Sequence, residues 1–193
     1  MELNPSSLAL QTSGNPSLAL SPTEKRRFDE QSSFKKWMTD NFYSDYENSR
    51  CFSVNFTFVT GISRELAQAQ FHNFVGYLNR QIYGNAYKRF PKEKNIKLLA
   101  VIEGGGNSGK EVHYHTIIVN PKDRTFSDDE FSSMIKDCWL KQPKAMKNSD
   151  IAVKTEKLFN FDGWLSYISK PFTKDTSNDI SYLDLLDIQS SYF

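Results

Sequence analysis

Three side chains that could bind a metal ion are expected to meet on one face of a β-hairpin. Glu103 ends one aliphatic segment, and His113-Tyr114-His115 begins the next. Side chains alternate between faces along a strand, so His113 and His115 share a face and Tyr114 takes the other. If the hairpin is centred near Ser108, Glu103 lies opposite His113, with Cβ atoms about 5 Å apart. One carboxylate and two imidazoles favour Mg²⁺ or Mn²⁺, with Zn²⁺ as a third candidate. The alternative is that both histidines are ordinary strand residues.

A second group that could do chemistry lies downstream. Tyr167 and Lys170 are three residues apart, which places both on one face of a predicted helix. A tyrosine phenol can act as a covalent nucleophile, and a neighbouring lysine can stabilise developing negative charge. The alternative is that Tyr167 packs in the core, since the chain has nine tyrosines.

The elements that position these groups alternate between strand and helix. Period-2 patterns of aromatic and β-branched residues predict the strands, and Ser63, Ser127 and Asp162 are expected to cap the helices. The order β-α-β-β-α-β predicts an α+β, ferredoxin-like or RRM-like antiparallel sheet with helices on one face. We expect the other face to be open, bordered by an added C-terminal helix that carries Tyr167. The predicted strands are Cys51–Thr60, Ile96–Glu103, Glu111–Val119 and Ile151–Lys157, and the predicted helices run from Ser63 to about Ile82, from Asp128 to Leu140 and from Asp162 to Lys170.

Composition divides the chain into four parts around one domain. Residues 1–24 contain a repeated Asn-Pro-Ser motif and are expected to be a disordered arm. Residues 25–48 form a helical extension, and 49–172 form the central domain. The acidic segment 173–193 is expected to be a tail or a short amphipathic helix that docks on the sheet or on a partner. No apolar run approaches the roughly 20 residues of a membrane span, and the N-terminus lacks a secretory signal pattern, so a cytoplasmic protein without a membrane segment is expected.

Basic residues gather locally although the net charge is only +1. Residues 79–97 interleave lysine and arginine with aromatic side chains, a composition that suits single-stranded DNA. A second basic cluster follows between residues 136 and 147. A solvated loop is the alternative for both segments. The candidate DNA contacts are Arg80, Lys88, Arg89, Lys94 and Lys110, and the second cluster comprises Lys136, Lys141, Lys144 and Lys147.

The glycine-rich segment from Gly104 to Lys110 nearly matches a phosphate-binding P-loop. Glu111 stands where that motif needs a hydroxyl, and a β-branched segment follows where the motif needs a helix. A hairpin loop is therefore expected, with Lys110 available to a DNA phosphate and with no nucleotide cofactor.

Together these segments resemble a known family over about residues 50–172. The strand Phe56–Thr60, Glu103 with the His113-Tyr114-His115 triplet, and Tyr167 with Lys170 resemble the three ordered motifs of HUH endonucleases. The nearest group is the single-tyrosine rolling-circle replication initiators, the Rep proteins of small viruses, phages and plasmids. Tyrosine between the two histidines departs from the usual hydrophobic residue, at a position that only has to face the core.

The resemblance implies a metal-dependent enzyme that nicks and rejoins single-stranded DNA. Glu103, His113 and His115 would hold a divalent metal that polarises the scissile phosphate. Tyr167 would attack, leaving a 5′-phosphotyrosine and a free 3′-OH, while Lys170 would position the phosphate or activate the nucleophile. The implied partners are single-stranded DNA or an origin hairpin, a host polymerase and a separate helicase, in the cytoplasm of the host of a phage, plasmid or similar mobile element.

Two other functions remain open at this stage. An HUH transposase or relaxase would use the same site. A non-catalytic RRM-like nucleic-acid-binding module would share the β-α-β-β-α-β order. This sequence lacks the aromatic pair that such a module needs on adjacent central strands, and the module would leave Glu103, His113 and His115 without a role.

Overall fold

The computed structural model describes residues 21–105, 110–170 and 186–188 of the 193-residue chain. The predicted arm up to residue 20 and most of the acidic tail lie outside these ranges. In chain order the elements are α1 (Pro22–Glu47), β1 (Cys51–Thr57), α2 (Arg64–Tyr83), α3 (Ala86–Arg89), β2 (Leu98–Glu103), β3 (His113–Val119), α4 (Asp128–Leu140), α5 (Ser149–Ala152), β4 (Val153–Lys157), α6 (Phe161–Ile168) and β5 (Leu186–Ile188).

The strands form one sheet in the order β4-β1-β3-β2-β5, and every neighbouring pair is antiparallel. The protein is therefore α+β, and the order of the first four strands is compatible with a ferredoxin-like fold. Of the acidic tail, which was expected to be a tail or a short helix docked on the sheet or on a partner, the described residues Leu186–Ile188 add a strand to the edge of β2. In the described ranges, no helix is long and apolar enough to cross a membrane.

One face of the sheet packs against α2 and α4 in an aromatic core. Phe56 of β1 contacts Phe74 of α2 and Trp139 of α4, with ring centroids 4.7 and 4.6 Å apart. Tyr114 of β3 points into the same core and stacks on Phe71, at 4.2 Å between centroids. The middle residue of the His-Tyr-His triplet therefore faces the core, as the alternation of side chains predicts.

The other face is not open along most of its length, which corrects the expectation from sequence. Helices α1 and α6 cover it and form a second core with the strands. The reason is that the sheet is apolar on this side, where Val101 and Ile117 are almost fully buried and require a cover. Met38 of α1 and Leu165 of α6 are among the residues that supply it. At the end of this face near the β2–β3 turn, polar side chains replace the apolar ones.

A charged cluster joins the end of α1 to the sheet. The Asp45 carboxylate pairs with Arg50 and, at 2.9 Å, with Lys97, and only 12% of the Asp45 side chain is exposed. Lys97 also lies 4.8 Å from the centre of the Phe42 ring. Burial lowers the pKa of Lys97. Two cations thus depend on one buried carboxylate for compensation.

Several predicted boundaries shift for local reasons. β1 ends at Thr57, beyond which Phe58 makes an isolated bridge to Ala145. α6 is capped by Asn160, whose side-chain oxygen accepts from the Gly163 amide at 2.9 Å, and not by Asp162. The predicted caps Ser63 and Ser127 are confirmed. Two short helices were not predicted. α3 lies within the basic segment 79–97, and α5 overlaps the predicted start of β4.

Candidate metal and nucleophile site

The β2–β3 hairpin brings the predicted ligands together in the predicted register. Glu103 pairs with His113 across the two strands, and His115 lies two residues further along the same face. The Glu103 Oε2 atom is 3.8 Å from His113 Nε2 and 3.4 Å from His115 Nε2. One ligand atom from each of the three side chains lies within 4.8 Å of the other two, and all three residues are half-buried.

The turn that sets this register requires glycine. Gly104 and Gly105 have φ values of +86° and +80°, a region that favours glycine. The Gly105 amide donates to the Lys110 carbonyl at 2.8 Å. A Cβ on Gly104 would lie 2.1 Å from the Glu111 carbonyl oxygen. Because a strand follows this segment, the hairpin interpretation is confirmed and the P-loop alternative is excluded.

Each histidine is held by its other ring nitrogen. His115 Nδ1 lies 2.7 Å from the Asn55 side-chain oxygen, and His113 Nδ1 lies 2.9 Å from the Glu111 carbonyl oxygen. A carbonyl oxygen can only accept, so each Nδ1 atom donates a proton, and in the neutral form of the ring the lone pair is then on Nε2. This is the arrangement usual around metal-binding histidines. Sequence reasoning missed Asn55, which pairs with His115 across β1 and β3; the signal was a polar residue within an apolar strand.

The charge states of Glu103 and His115 suit a cation. Burial, together with the neighbouring His113, lowers the pKa of His115 to about 4, so this imidazole is neutral at pH 7. Burial alone would raise the pKa of Glu103, but the hydrogen bond and charge of Lys110 and the two imidazoles outweigh it and hold this pKa below its usual value. The site therefore offers one anionic oxygen and neutral imidazole nitrogen at neutral pH.

The spacing of these atoms fits a metal ion. Two donors bound to one ion at about 2.1–2.3 Å lie about 3.0–3.8 Å apart, depending on the coordination geometry. The separations of 3.4 and 3.8 Å from the carboxylate to the two Nε2 atoms agree with this range, and the three ligand atoms all lie within 4.8 Å of one another. The structure thus shows a Glu-His-His group able to hold a metal, and oxygen with nitrogen donors is compatible with Mg²⁺, Mn²⁺ or Zn²⁺.

Tyr167 faces this group from α6. Its hydroxyl is 3.3 Å from His115 Nε2, and its ring meets the His115 ring edge-on with centroids 4.9 Å apart. The tyrosine is 43% exposed, so it is not a core residue. Burial, followed by the Glu103 charge, raises the pKa of Tyr167, and Lys110 partly offsets the increase. The phenol therefore stays protonated at neutral pH unless another positive charge approaches it.

Lys170 follows α6 and lies beside the same tyrosine. Its Nζ atom is 4.8 Å from the centre of the Tyr167 ring. The α1 side chain Gln31 donates to the Ser169 carbonyl oxygen at 3.0 Å and fixes the end of α6. Helix α1, which sequence reasoning treated as an extension, therefore helps to place the residues around the tyrosine.

The predicted DNA contacts divide into two locations. Lys110 lies at the site, with Nζ 3.2 Å from Glu103. The other four lie towards the opposite end of α2. The first residue of this helix, Arg64, is next to the hairpin and donates to the Gly104 carbonyl oxygen at 3.2 Å. Arg80 follows sixteen residues later, about 24 Å further along the helix axis. Lys94 pairs with Asp123 at 2.7 Å. The structure thus does not bring Arg80, Lys88, Arg89 and Lys94 to the metal group.

Comparisons with family models, with curated proteins and with solved structures find no match for this chain. The geometry of the site is therefore the basis for a functional conclusion.

Proposed function

We propose that the protein is an HUH-type endonuclease that nicks and rejoins single-stranded DNA through a covalent bond to Tyr167. The observation that carries this proposal is the 3.3 Å separation between the Tyr167 hydroxyl and His115 Nε2. A solvent-accessible tyrosine hydroxyl thus lies beside a carboxylate and two imidazoles that could hold a metal. The ferredoxin-like order of the first four strands agrees with the same family.

The proposed step exchanges one phosphodiester bond for another. The Tyr167 phenol oxygen forms a bond to phosphorus, and the bond from phosphorus to the 3′ oxygen of the preceding nucleotide breaks. The phenol loses its proton, and the departing 3′ oxygen takes one up. The products are a 5′-phosphotyrosine and a free 3′-OH, and the reverse attack by a 3′-OH rejoins the strand. No nucleotide cofactor is required, because the number of phosphodiester bonds is unchanged.

The side chains around the tyrosine have separate parts in this step. A divalent ion bound by Glu103, His113 and His115 would supply positive charge to the scissile phosphate. Lys170, beside the Tyr167 ring, would offset the negative charge that develops on the phenol oxygen or on the phosphate. The raised pKa of Tyr167 gives a reason for such help, since a protonated phenol is a weak nucleophile.

The biological role we propose is the initiation of rolling-circle replication of a phage, plasmid or similar mobile element. The free 3′-OH would serve as the primer for a host polymerase. Unwinding would come from a separate helicase, and the substrate would be single-stranded DNA or an extruded origin hairpin.

Two observations weigh against a non-catalytic RRM-like module. Such modules stack bases on aromatic residues of an open sheet face. Here the face opposite α2 and α4 is covered by α1 and α6 over its apolar part. At its polar end, the central strands present Asn55, His113 and His115, none of which is a Phe, Tyr or Trp platform.

A covalent-adduct assay tests the proposal. The protein is incubated with Mn²⁺ or Mg²⁺ and a single-stranded DNA library with a randomised core, labelled at either end, and resolved on a denaturing gel. We expect a shifted band with the 3′-label only, because the 5′-phosphotyrosine retains the 3′ fragment. EDTA and Tyr167→Phe should abolish the band, whereas Tyr43→Phe, at a tyrosine 39% exposed, should leave it unchanged. Equal adduct from Tyr167→Phe would exclude Tyr167 as the nucleophile.

A further inference from the structure

A polar groove runs along the outer surface between α2 and the end of α4, outside the metal group. It consists of two adjoining cavities of about 460 and 380 Å³ that share Tyr77, Arg80 and Lys141 as lining residues. Each volume falls within the range of about 300–1,000 Å³ that ligand sites occupy. The groove lies on the side of the sheet that α2 and α4 cover, whereas Tyr167 and its partners lie on the other side.

The groove carries positive charge without compensation. Arg80 and Lys141 contribute two cations, and no aspartate or glutamate is among the residues that line either cavity. Neither cation forms an ion pair with the chain over the described ranges. Arg80 belongs to the first basic segment of the sequence and Lys141 to the second, so the fold joins two clusters that are about sixty residues apart. This combination selects an anion such as a phosphate group.

The remaining lining residues suit a nucleobase. Tyr77 is 49% exposed, and Tyr87 lines the same cavity, so aromatic faces are available for stacking. Carboxamides of Gln70 and Asn73 lie in the same wall. Gln70 is only 8% exposed, and its Oε1 atom has no hydrogen-bond partner in the described part of the chain. This oxygen is itself buried, so it is the exposed Tyr77 ring, and not the Gln70 acceptor, that suits a nucleobase.

We propose that this groove binds a nucleotide unit of single-stranded DNA, with its phosphate on Arg80 and Lys141 and its base against Tyr77. An unpaired base is required, because a paired base exposes no face for stacking. The choice of a DNA strand as the source of the nucleotide rests on the proposed function. The charge and shape of the groove are independent of that function. The groove would hold a part of the strand remote from the cleaved bond, since the Arg80 end of α2 points away from the metal group.

Fluorescence anisotropy tests this proposal apart from catalysis. A fluorescein-labelled dT25 oligonucleotide is titrated with Tyr167→Phe protein in EDTA, at several salt concentrations. The Arg80→Ala/Lys141→Ala double variant should bind about tenfold more weakly, and the slope of log K against log salt should fall by about 1.4, as expected for two lost phosphate contacts. Tyr77→Ala should weaken binding about 5- to 100-fold. The matched control, Lys36→Ala/Lys122→Ala, removes the same charge at two exposed lysines outside both the groove and the Glu-His-His group.

The outcomes separate this proposal from the nuclease. If the groove variants and the control bind the strand equally, the groove is not a nucleotide site, whether or not wild-type protein forms a covalent adduct. If the groove variants bind weakly while wild type forms no adduct, the groove proposal stands and the nuclease proposal fails. Competition with dTMP and with inorganic phosphate identifies the source: complete displacement of dT25 by millimolar dTMP would contradict a strand as the occupant.

Discussion

Replacing Asn55 should weaken metal binding although Asn55 is not itself a predicted ligand. Its side-chain oxygen accepts the Nδ1 proton of His115 at 2.7 Å and thereby leaves the Nε2 lone pair facing Glu103. In Asn55→Leu this acceptor is lost in a pocket where only 12% of the His115 side chain is exposed. The imidazole can then place its proton on Nε2, which removes the ligand atom from the site.

The expected magnitude follows from that one hydrogen bond. Loss of a partner that orients a metal-binding histidine lowers metal affinity about 10- to 100-fold, which is about 1.4–2.7 kcal/mol. Asn55→Asp keeps an acceptor oxygen and adds negative charge, so its affinity should equal or exceed that of wild type. Ser53→Ala is the matched control, because Ser53 shares the strand and the face but pairs with Ile117.

Two assays examine this prediction. Isothermal titration with Mn²⁺ gives the affinity of each variant, and ¹⁵N NMR of the imidazoles in metal-free protein gives the tautomer of His115. We expect Nδ1–H in wild type and in Asn55→Asp, and a mixture of tautomers in Asn55→Leu. Wild-type affinity together with an unchanged tautomer in Asn55→Leu would show that Asn55 does not orient His115 for metal binding.

Three further predictions concern stability, each measured by urea unfolding in EDTA. Burial lowers the pKa of His115 to about 4 against an ordinary value of 6.5, so between these pH values the unfolded chain binds one more proton than the folded chain. The free energy of unfolding should therefore fall by at most about 3 kcal/mol as the pH drops from 6.5 to 4, and His115→Gln should reduce this dependence on pH. Gly104→Ala should lower the free energy of unfolding by at least about 2 kcal/mol, because Gly104 has a positive φ and a Cβ there would meet the facing backbone. Gly76→Ala, with open space around the new Cβ, should raise it by up to about 1 kcal/mol, and equal urea midpoints for the two variants would contradict the role given to Gly104 in the turn. Asp45→Ala should lower the free energy of unfolding by about 2–4 kcal/mol, because Arg50 and Lys97 lose their carboxylate. Asp40→Ala, which breaks an exposed ion pair, should lower it by less than about 0.5 kcal/mol, and similar losses in the two variants would contradict the role given to the buried cluster.

The central part of the fold was predictable because its signals are local. Alternation in the strands and the serine caps of α2 and α4 require only neighbouring residues, and the structure confirms these elements. The pairing of Glu103 with His113 was also predictable, because the length of one hairpin determines it. The local strand pattern and the hairpin pairing together sufficed to propose which residues form the Glu-His-His group.

The rest depends on contacts between distant segments. The sequence predicts a helix near α1, but nothing local indicates that Met38 and Phe42 cover the sheet beside Val101 and Ile117. The position of Asn55 against His115 likewise depends on the β1–β3 register, which spans sixty residues. In the tail, leucine-rich residues with acidic neighbours suit a short helix, while pairing of Leu186–Ile188 with β2 requires a free sheet edge that the sequence does not reveal.

Mass spectrometry of the covalent product tests the central claim most directly. Wild-type protein would be incubated with Mn²⁺ and single-stranded DNA, digested with nuclease and protease, and sequenced as peptides. We expect a nucleotide attached through its 5′ phosphate to Tyr167, and a released DNA fragment whose 3′-OH a polymerase extends. A phosphate on another side chain, or a released fragment with a blocked 3′ end, would contradict the proposed role of Tyr167.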